Sequence, residues 1–281
     1  MVDFTLLMAV YANDNESFVR TAYDSVTVEQ TLAPTKVVIV RDGPVVPGVA
    51  QWLDETEQDP RVTVIRFDHN QGLATALNTG LAQIDTEIVA RADADDISLP
   101  DRFASQLPLI EAGYDIVGAA IAEFTDDPGT LVATRPVPTT QTAIERDARL
   151  ETPFHHPTVV FRRSAVLAAG GYPNLPRMED YPLWAAMLMN GARVANIDRV
   201  LVRYRVGAGA FDRRGGRALA KAEADVQRRF LAMGFTTRCQ YLRNRLLRGP
   251  LYRYMPTRLR RFLYHAWEAR KARRPRPTDH D

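Results

Sequence analysis

The first hundred residues constrain the fold most, because four short apolar runs rich in β-branched residues alternate there with segments of helical spacing. The runs are Thr5 to Tyr11, Lys36 to Arg41, Val62 to Phe67 and Glu87 to Ala92. Between them, Glu16 to Val28, Val49 to Glu57 and Leu73 to Ile84 carry apolar residues three and four apart, with Asn13, Asp14 or Asn15 available to cap the first helix. Strands that alternate with helices of this length are joined by crossovers and run parallel. The pattern predicts an α/β fold, a doubly wound and mostly parallel sheet flanked by helices. In such a sheet the ligand sits beyond the carboxyl ends of the strands, so the residues just after each strand matter most. Those positions hold Asn13, Asp42, Asn70 and Asp93.

The second half is less regular. It has an apolar run at Ile116 to Ile121, a loop rich in Pro, Thr and Asp from Thr125 to Thr140, and a strand-like Thr158 to Phe161. Helical spacing returns at Ser164 to Ala169 and at Asp180 to Met189. From Arg217 onward the chain reads as basic helix broken at Gly249-Pro250 and Pro256, and residues 271–281 read as a disordered tail. Residues 1–212 hold 17 Lys and Arg against 29 Asp and Glu, whereas 213–281 hold 19 against 5, so a body at −12 and a tail at +14 make up the net +2. An acidic body argues against a nucleic-acid binder, and the tail calls for a local anionic partner. One cysteine, Cys239, excludes an internal disulfide, and the apolar N-terminal run is too short for a leader or a spanning helix. A cytoplasmic enzyme is expected.

Three carboxylates in four residues, Asp93, Asp95 and Asp96, close the fourth strand. Like charges so near raise one another's pKa and destabilise a fold unless a cation neutralises them, and a divalent metal, Mn2+ or Mg2+, is the economical answer. In extended backbone Asp93 and Asp95 point the same way, one toward a ribose and the other toward a metal bridging two phosphates. The competing reading is an acidic turn that caps the next helix through Asp96 or Ser98, with Pro100 in its first turn. An EF-hand fits poorly, since Ser98 and Ala104 stand where the turn glycine and bidentate glutamate belong.

Several motifs in order resemble family 2 glycosyltransferases, inverting enzymes of the GT-A fold, over about the first 210 residues. They are Val10-Tyr11-Ala12-Asn13, then Val38 to Pro44 with Asp42, then Asn70-Gln71-Gly72-Leu73-Ala74 with Asn78 and Gly80, and Ala92 to Asp96 followed by Pro100-Asp101-Arg102-Phe103. His156-Pro157, Gly170-Gly171-Tyr172 and Glu179-Asp180-Tyr181 follow in the order of the family's acceptor side. Two positions depart from the pattern: Arg41 replaces a commonly paired aspartate, and Val206-Gly207 lacks the histidine of a Tyr-Arg-x-His segment.

The resemblance implies a transferase moving a sugar from a nucleotide-diphospho-sugar, a UDP-sugar first, to a glycan or lipid-linked acceptor in polysaccharide or glycolipid synthesis. It implies a catalytic domain over 1–212, nucleotide-binding to about residue 100 and acceptor-binding beyond, with a helical extension over 213–270. The donor site would use Ala9, Tyr11 and Asn13, then Asp42, Asn70, Gly72, Leu73 and Asn78, and finally Arg91, Asp93 and Ala94. Asp93 and Asp95 would hold the metal. Asp180 is the expected general base and Glu179 the second candidate, with plain helix capping as the alternative for the pair. His155, His156, Trp184, Arg203 and Arg205 are candidates for acceptor or phosphate contact; the histidines could equally be structural, Trp184 could be core, and the arginines could form surface ion pairs. Over Pro256 to Arg270, Leu259, Phe262, Leu263, Ala266 and Trp267 form one stripe opposite Arg260, Arg261, His265 and Glu268, suited to the surface of an anionic membrane or to packing on the body. Rival functions are a sugar-phosphate nucleotidyltransferase, which would want a glycine-rich loop after the first strand, and a non-catalytic nucleotide-sugar binder. Dinucleotide oxidoreductases and P-loop enzymes lack their glycine signatures here.

Overall fold

The computed structural model describes residues 2–175, 177–207 and 217–253. The segment Pro256 to Arg270 and the tail beyond it, with their expected membrane stripe, lie outside the described residues. Strands β1 (Phe4–Tyr11), β2 (Lys36–Asp42), β3 (Val62–Arg66) and β4 (Ile88–Ala92) form the parallel half of a mixed sheet, each pairing in register with its neighbours. Helices α1 (Glu16–Val26), α2 (Pro47–Thr56) and α3 (Leu73–Gln83) make the crossovers. Asn15 is the N-cap of α1, accepting a hydrogen bond from the Ser17 N–H at 2.9 Å.

Past β4 the sheet turns mixed. Its elements are β5 (Ile97–Ser98), α4 (Arg102–Glu111), β6 (Ile116–Phe124), β7 (Leu131–Arg135), α5 (Gln141–Asp147), a 3-10 turn (His156–Thr158), β8 (Val160–Arg162), α6 (Arg163–Ala168), α7 (Asp180–Met189) and β9 (Val194–Arg205). Among the described residues the strand order is β3-β2-β1-β4-β8-β6-β9-β5, with β7 on β6. Strand β8 is antiparallel to β4 and β6, while β9 runs parallel to β6.

The two-residue side-chain period of β1 divides the core. Leu6, Met8 and Val10 pack with Val19, Trp52, Phe103 and Leu107 on one face, while Leu7 packs with Leu77, Leu81, Phe161 and Trp184 on the other. The basic segment forms α8 (Arg217–Ala232) and α9 (Arg238–Arg253). Contrary to the expected break, helical backbone continues through residues 249 and 250 to Arg253. A separate apolar cluster docks α8 on α7: Phe230 meets Tyr181 edge-on at 4.7 Å and Phe235 at 5.1 Å. Arg248 adds a buried ion pair to Glu223 and donates to the Leu150 carbonyl, tying α9 to both α8 and the body.

Candidate active site

The four strand ends converge on one edge of the parallel half. After β1, Tyr11 is exposed and its N–H donates to the Asp14 carboxylate at 2.8 Å, closing a tight turn. Ala9 is half-buried near the end of the strand, and Asn13 is exposed on the turn. After β2, Asp42 is buried and its carboxylate is fully engaged. One oxygen accepts from the Gln71 N–H at 2.6 Å, and the other accepts from the Gly72 N–H at 3.0 Å and from Asn70 Nδ2 at 2.9 Å. The following Gly43 has φ +87°, and a Cβ there would sit 2.6 Å from the Asn70 backbone nitrogen, so only glycine lets the two loops approach. Asp42 therefore shapes the loop that begins α3, leaving Asn70 exposed and Gly72 and Leu73 half-buried at the helix start.

Asn78, on α3, reaches away from that loop. It donates to the Tyr172 carbonyl at 2.8 Å and accepts from the Tyr172 N–H at 2.9 Å, clamping a chain segment 94 residues away. Gly171, at φ +70°, sits so close that a Cβ would lie 2.7 Å from the Asn78 amide oxygen. Both amide atoms thus serve the turn that leads to Glu179 and Asp180.

Arg91 is the centre of the site. It is a β4 residue, 2% exposed, and it pairs with Asp93 through one terminal nitrogen, while its Nε and other Nη find no hydrogen-bond partner. Burial works against its charge, but Asp93, by charge and by hydrogen bond, more than offsets this and holds the pKa above the usual arginine range. The same cation acts electrostatically on Glu179, Asp180, His156 and Tyr172, and Asp93 also acts on Glu179 and Tyr172, so the aspartate cluster and the Glu-Asp pair share one charged site. Arg102, fully buried beneath it, donates to the Arg91 carbonyl at 2.6 Å and to Ser98 Oγ at 2.9 Å; burial and the nearby Arg91 charge pull its pKa down to about 9.

Within the aspartate cluster, Asp93 is part-exposed, Ala94 is buried, and Asp95 is solvent-accessible although its carboxylate is crowded by protein. Burial and the charge of Asp93 push Asp95 up to about 6. Asp96 is buried, accepts from the Arg205 N–H at 2.8 Å and leaves its second oxygen without a partner; burial, then Asp93 and Asp95, raise its pKa strongly. Helix capping by Asp96 or Ser98 is overturned. Ile97 and Ser98 pair with β9, and α4 starts only at Arg102 after Asp101. Asp14, which sequence reasoning treated only as a helix cap, joins the cluster: burial, with Asp95 and Asp93 nearby, pushes it up to about 7. The run Asn13-Asp14-Asn15 directly after a strand was the signal for it. Among the described residues no three His, Cys, Asp or Glu side chains already surround one point as a metal cage. A cation held by one or two carboxylates and completed by a substrate's phosphates needs no such cage, and a group of mutually repelling carboxylates with an unpartnered oxygen suits it.

On the opposite side, α7 begins at Asp180, with Glu179 at its N-cap making no side-chain capping bond. Met178 just before them has φ +60°, the one such non-glycine conformation among the described residues. Strained backbone of this kind persists where the surroundings over-determine it, often at ligand sites. Glu179 is pushed up to about 7, by burial and then by Asp180. Asp180 is also raised by burial, against which the Tyr181 N–H and Arg91 favour its ionised form. The buried Trp184 indole N–H also lies near enough to favour that form, without reaching hydrogen-bond geometry.

Trp184 itself is 1% exposed and packs edge-on against Phe154, His156 and Tyr172 at 5.7 to 6.2 Å, which closes its ring to any sugar face and corrects the acceptor-stacking expectation. His156 shares a 3.0 Å hydrogen bond with the Tyr172 hydroxyl, and burial together with Arg91 holds its pKa well below the usual histidine value, so it is neutral. The carbonyl of His155 anchors Thr158. Arg203 is half-buried on β9 beside Ile97. The Arg205 guanidinium is occupied by protein groups, described below.

The sequence model described as "Glycosyl transferase family 2" matches residues 5–169. An uncharacterized glycosyltransferase of Haemophilus influenzae is 39% identical over 222 residues, covering 78% of this chain and 82% of the relative. The UDP-Gal:alpha-D-GlcNAc-diphosphoundecaprenol beta-1,3-galactosyltransferase of Escherichia coli is 33% identical over 263 residues, covering 93% of this chain and 94% of the relative. Among solved structures, the Pyrobaculum calidifontis mannosyltransferase in complex with GDP-Man and Mn2+ superposes with a TM-score of 0.61 at 19% identity, covering 98% of this chain and 76% of that one. S. aureus TarS 1-349 in complex with UDP-GlcNAc gives 0.65 at 15% identity, covering 89% and 74%. The sheet and its flanking helices have the GT-A arrangement of these neighbours, and the chain belongs to glycosyl transferase family 2 and is a glycosyltransferase.

Proposed function

We propose that this enzyme transfers a hexose, with inversion, from a UDP-sugar to a hydroxyl of a lipid-linked glycan during surface-polysaccharide assembly. The observation that carries the reading is the buried Arg91, paired with Asp93 and within electrostatic reach of Glu179 and Asp180. A hydroxyl attacking an anomeric carbon must lose its proton on the face opposite the departing diphosphate. Assigning Asp93 to the diphosphate face and Asp180 to the acceptor face, with one buried cation serving both, gives that division of labour.

In this reading Asp180 is the general base. Burial raises its pKa, which strengthens it as a proton acceptor, while the Tyr181 N–H and Arg91 limit that rise. Glu179, near its own midpoint at neutral pH, tunes the charge beside it. Asp93 and Asp95 are the side chains that would hold a divalent cation, which supplies stabilisation of charge on the diphosphate. Tyr11, Asn13 and the loop Asn70 to Leu73 line the nucleotide side, with Ala9 and Ala94 as backbone walls. Asp42 and Asn78 shape this site from behind. His155 and Arg203 flank the acceptor and phosphate side, and neutral His156 supports it through Tyr172.

The donor and acceptor classes rest on the Escherichia coli relative, whose name specifies UDP-Gal and a diphosphoundecaprenol acceptor. Helix α9 supports access to such an acceptor. It carries five arginines and no acidic residue, and it exposes Leu242 and Leu246, a surface suited to an anionic membrane. Among the described residues no helix is long and apolar enough to cross a membrane. Catalytic residues within 1–212 and an accessory role for 213–270 belong to the same proposal. The test is incubation of purified protein with UDP-galactose, UDP-glucose or UDP-GlcNAc, Mn2+ and a polyprenyl-diphosphate-GlcNAc, with products read by mass spectrometry. A one-hexose extension with one donor supports the reading. Release of UDP from every donor with no extended acceptor would overturn the acceptor class.

A further inference from the structure

Arg205 ends β9 with partners from three other segments of the chain. Its backbone N–H donates to Asp96 Oδ1 at 2.8 Å, its Nε donates to the Asp95 carbonyl at 2.9 Å, and one terminal nitrogen donates to the Thr125 carbonyl at 3.3 Å. Its guanidinium lies 3.7 Å from the Phe18 ring centroid and 4.5 Å from that of Phe124, so an aromatic ring from α1 and another from the end of β6 close round it. Three segments distant in sequence meet on this one residue. A planar cation stacked this way, with Nε and one terminal nitrogen committed to two carbonyls, is held in place by the protein, which favours a structural role over the phosphate-clamping role its sequence position suggests.

We infer that Arg205 is a positioning residue, a latch that holds the backbone of the aspartate loop so that the Asp93 and Asp95 side chains face the donor together. The inference rests on the proposal that these two aspartates hold a cation. Phe18 and Phe124 orient the latch. Asp96 receives its backbone N–H, which explains why the third carboxylate of the cluster is buried and turned inward. Lysine cannot replace this residue. An ammonium keeps the charge but loses both the planar fork and the stacking.

The experiment is calorimetric titration of UDP into wild type, Arg205→Lys, Arg205→Met and Phe18→Leu, each with and without saturating Mn2+. For wild type, UDP affinity rises when Mn2+ is present. For both Arg205 variants the Mn2+-dependent gain falls roughly 10- to 100-fold, the range for loss of a group that orients metal ligands, while metal-free UDP affinity stays at the wild-type value. Phe18→Leu keeps the hydrogen bonds and shifts the gain in the same direction by less, and it carries the test if an Arg205 variant does not fold. If Arg205→Lys behaves as wild type, or metal-free UDP affinity falls with Arg205→Met, the residue is a direct phosphate clamp and the latch is wrong. If wild type itself gains nothing from Mn2+, the cation proposal fails instead.

Discussion

Replacing Asp42 by Asn probes the carboxylate at the end of β2, which receives three donors while buried. Asparagine keeps one acceptor oxygen and puts an NH2 group where the other stood. In its better orientation the amide oxygen takes the place of the oxygen now bonded to Gly72 N–H and Asn70 Nδ2, and the NH2 then faces the Gln71 N–H, now 2.6 Å from the carboxylate. One charge-assisted bond, about 1.5–3 kcal/mol, is lost, the Gln71 donor is left opposed to another donor, and the remaining two bonds lose their charge. The expected cost is about 2–4 kcal/mol, or a melting temperature lower by about 3–7 °C for a chain of this size. UDP affinity falls with it, because Asn70 and Gly72 are placed by this carboxylate. Thermal unfolding of wild type and Asp42→Asn side by side is the assay. A change below about 1 °C would show that the carboxylate does not organise the loop, and the account of Asp42 as a framework residue would be refuted.

Other perturbations have equally definite outcomes. Glu179 and Asp14 are raised to about 7 and Asp95 to about 6, above the ordinary carboxylate range, so the folded state keeps protons that the unfolded chain releases. Their stabilising contribution is complete below about pH 4 and is lost as pH rises to about 7, so without metal the melting temperature falls across that window. Mn2+ competes with those protons and raises the melting temperature more at about pH 8 than at about pH 5; an equal rise at both would contradict a cation on this cluster. Phe230→Ala empties the contact between α8 and α7 and costs about 3–5 kcal/mol, with limited proteolysis cutting between the body and α8 ahead of global unfolding; cleavage at the wild-type rate would mean that the helices are held chiefly by the Glu223–Arg248 pair.

The parallel half of the fold was legible because its strands are continuous apolar runs bounded by polar residues, and its helices repeat their apolar residues at fixed spacing. Beyond β4 that contrast fades. Strand β7 lies inside a segment rich in Pro, Thr and Asp, and its first residues are exposed, so no buried face marks it. Strand β9 contains Asn196, Asp198, Arg199 and Arg203 and shifts register against β6, which hides a two-residue period. Helix α5 is short and carries three charged residues in seven. At the site, residue types were readable and partners were not. Asp42, Asn78 and Arg205 look like ligand contacts in sequence, yet each makes its hydrogen bonds to groups brought in from elsewhere in the chain, most of them backbone. Asp14 belongs to the acidic cluster only because β1 and β4 are adjacent in the sheet. A single sequence carries no sign of such pairings until the topology is known.

The central claim, that Asp180 takes the acceptor proton while the aspartate cluster serves the donor's diphosphate, is tested most directly by Asp180→Asn under single-turnover conditions with UDP binding measured in parallel. The account predicts that transfer falls by about 10²–10⁴-fold while UDP binding with Mn2+ is unchanged. Transfer at a rate close to wild type, or donor affinity lost in step with activity, would contradict it.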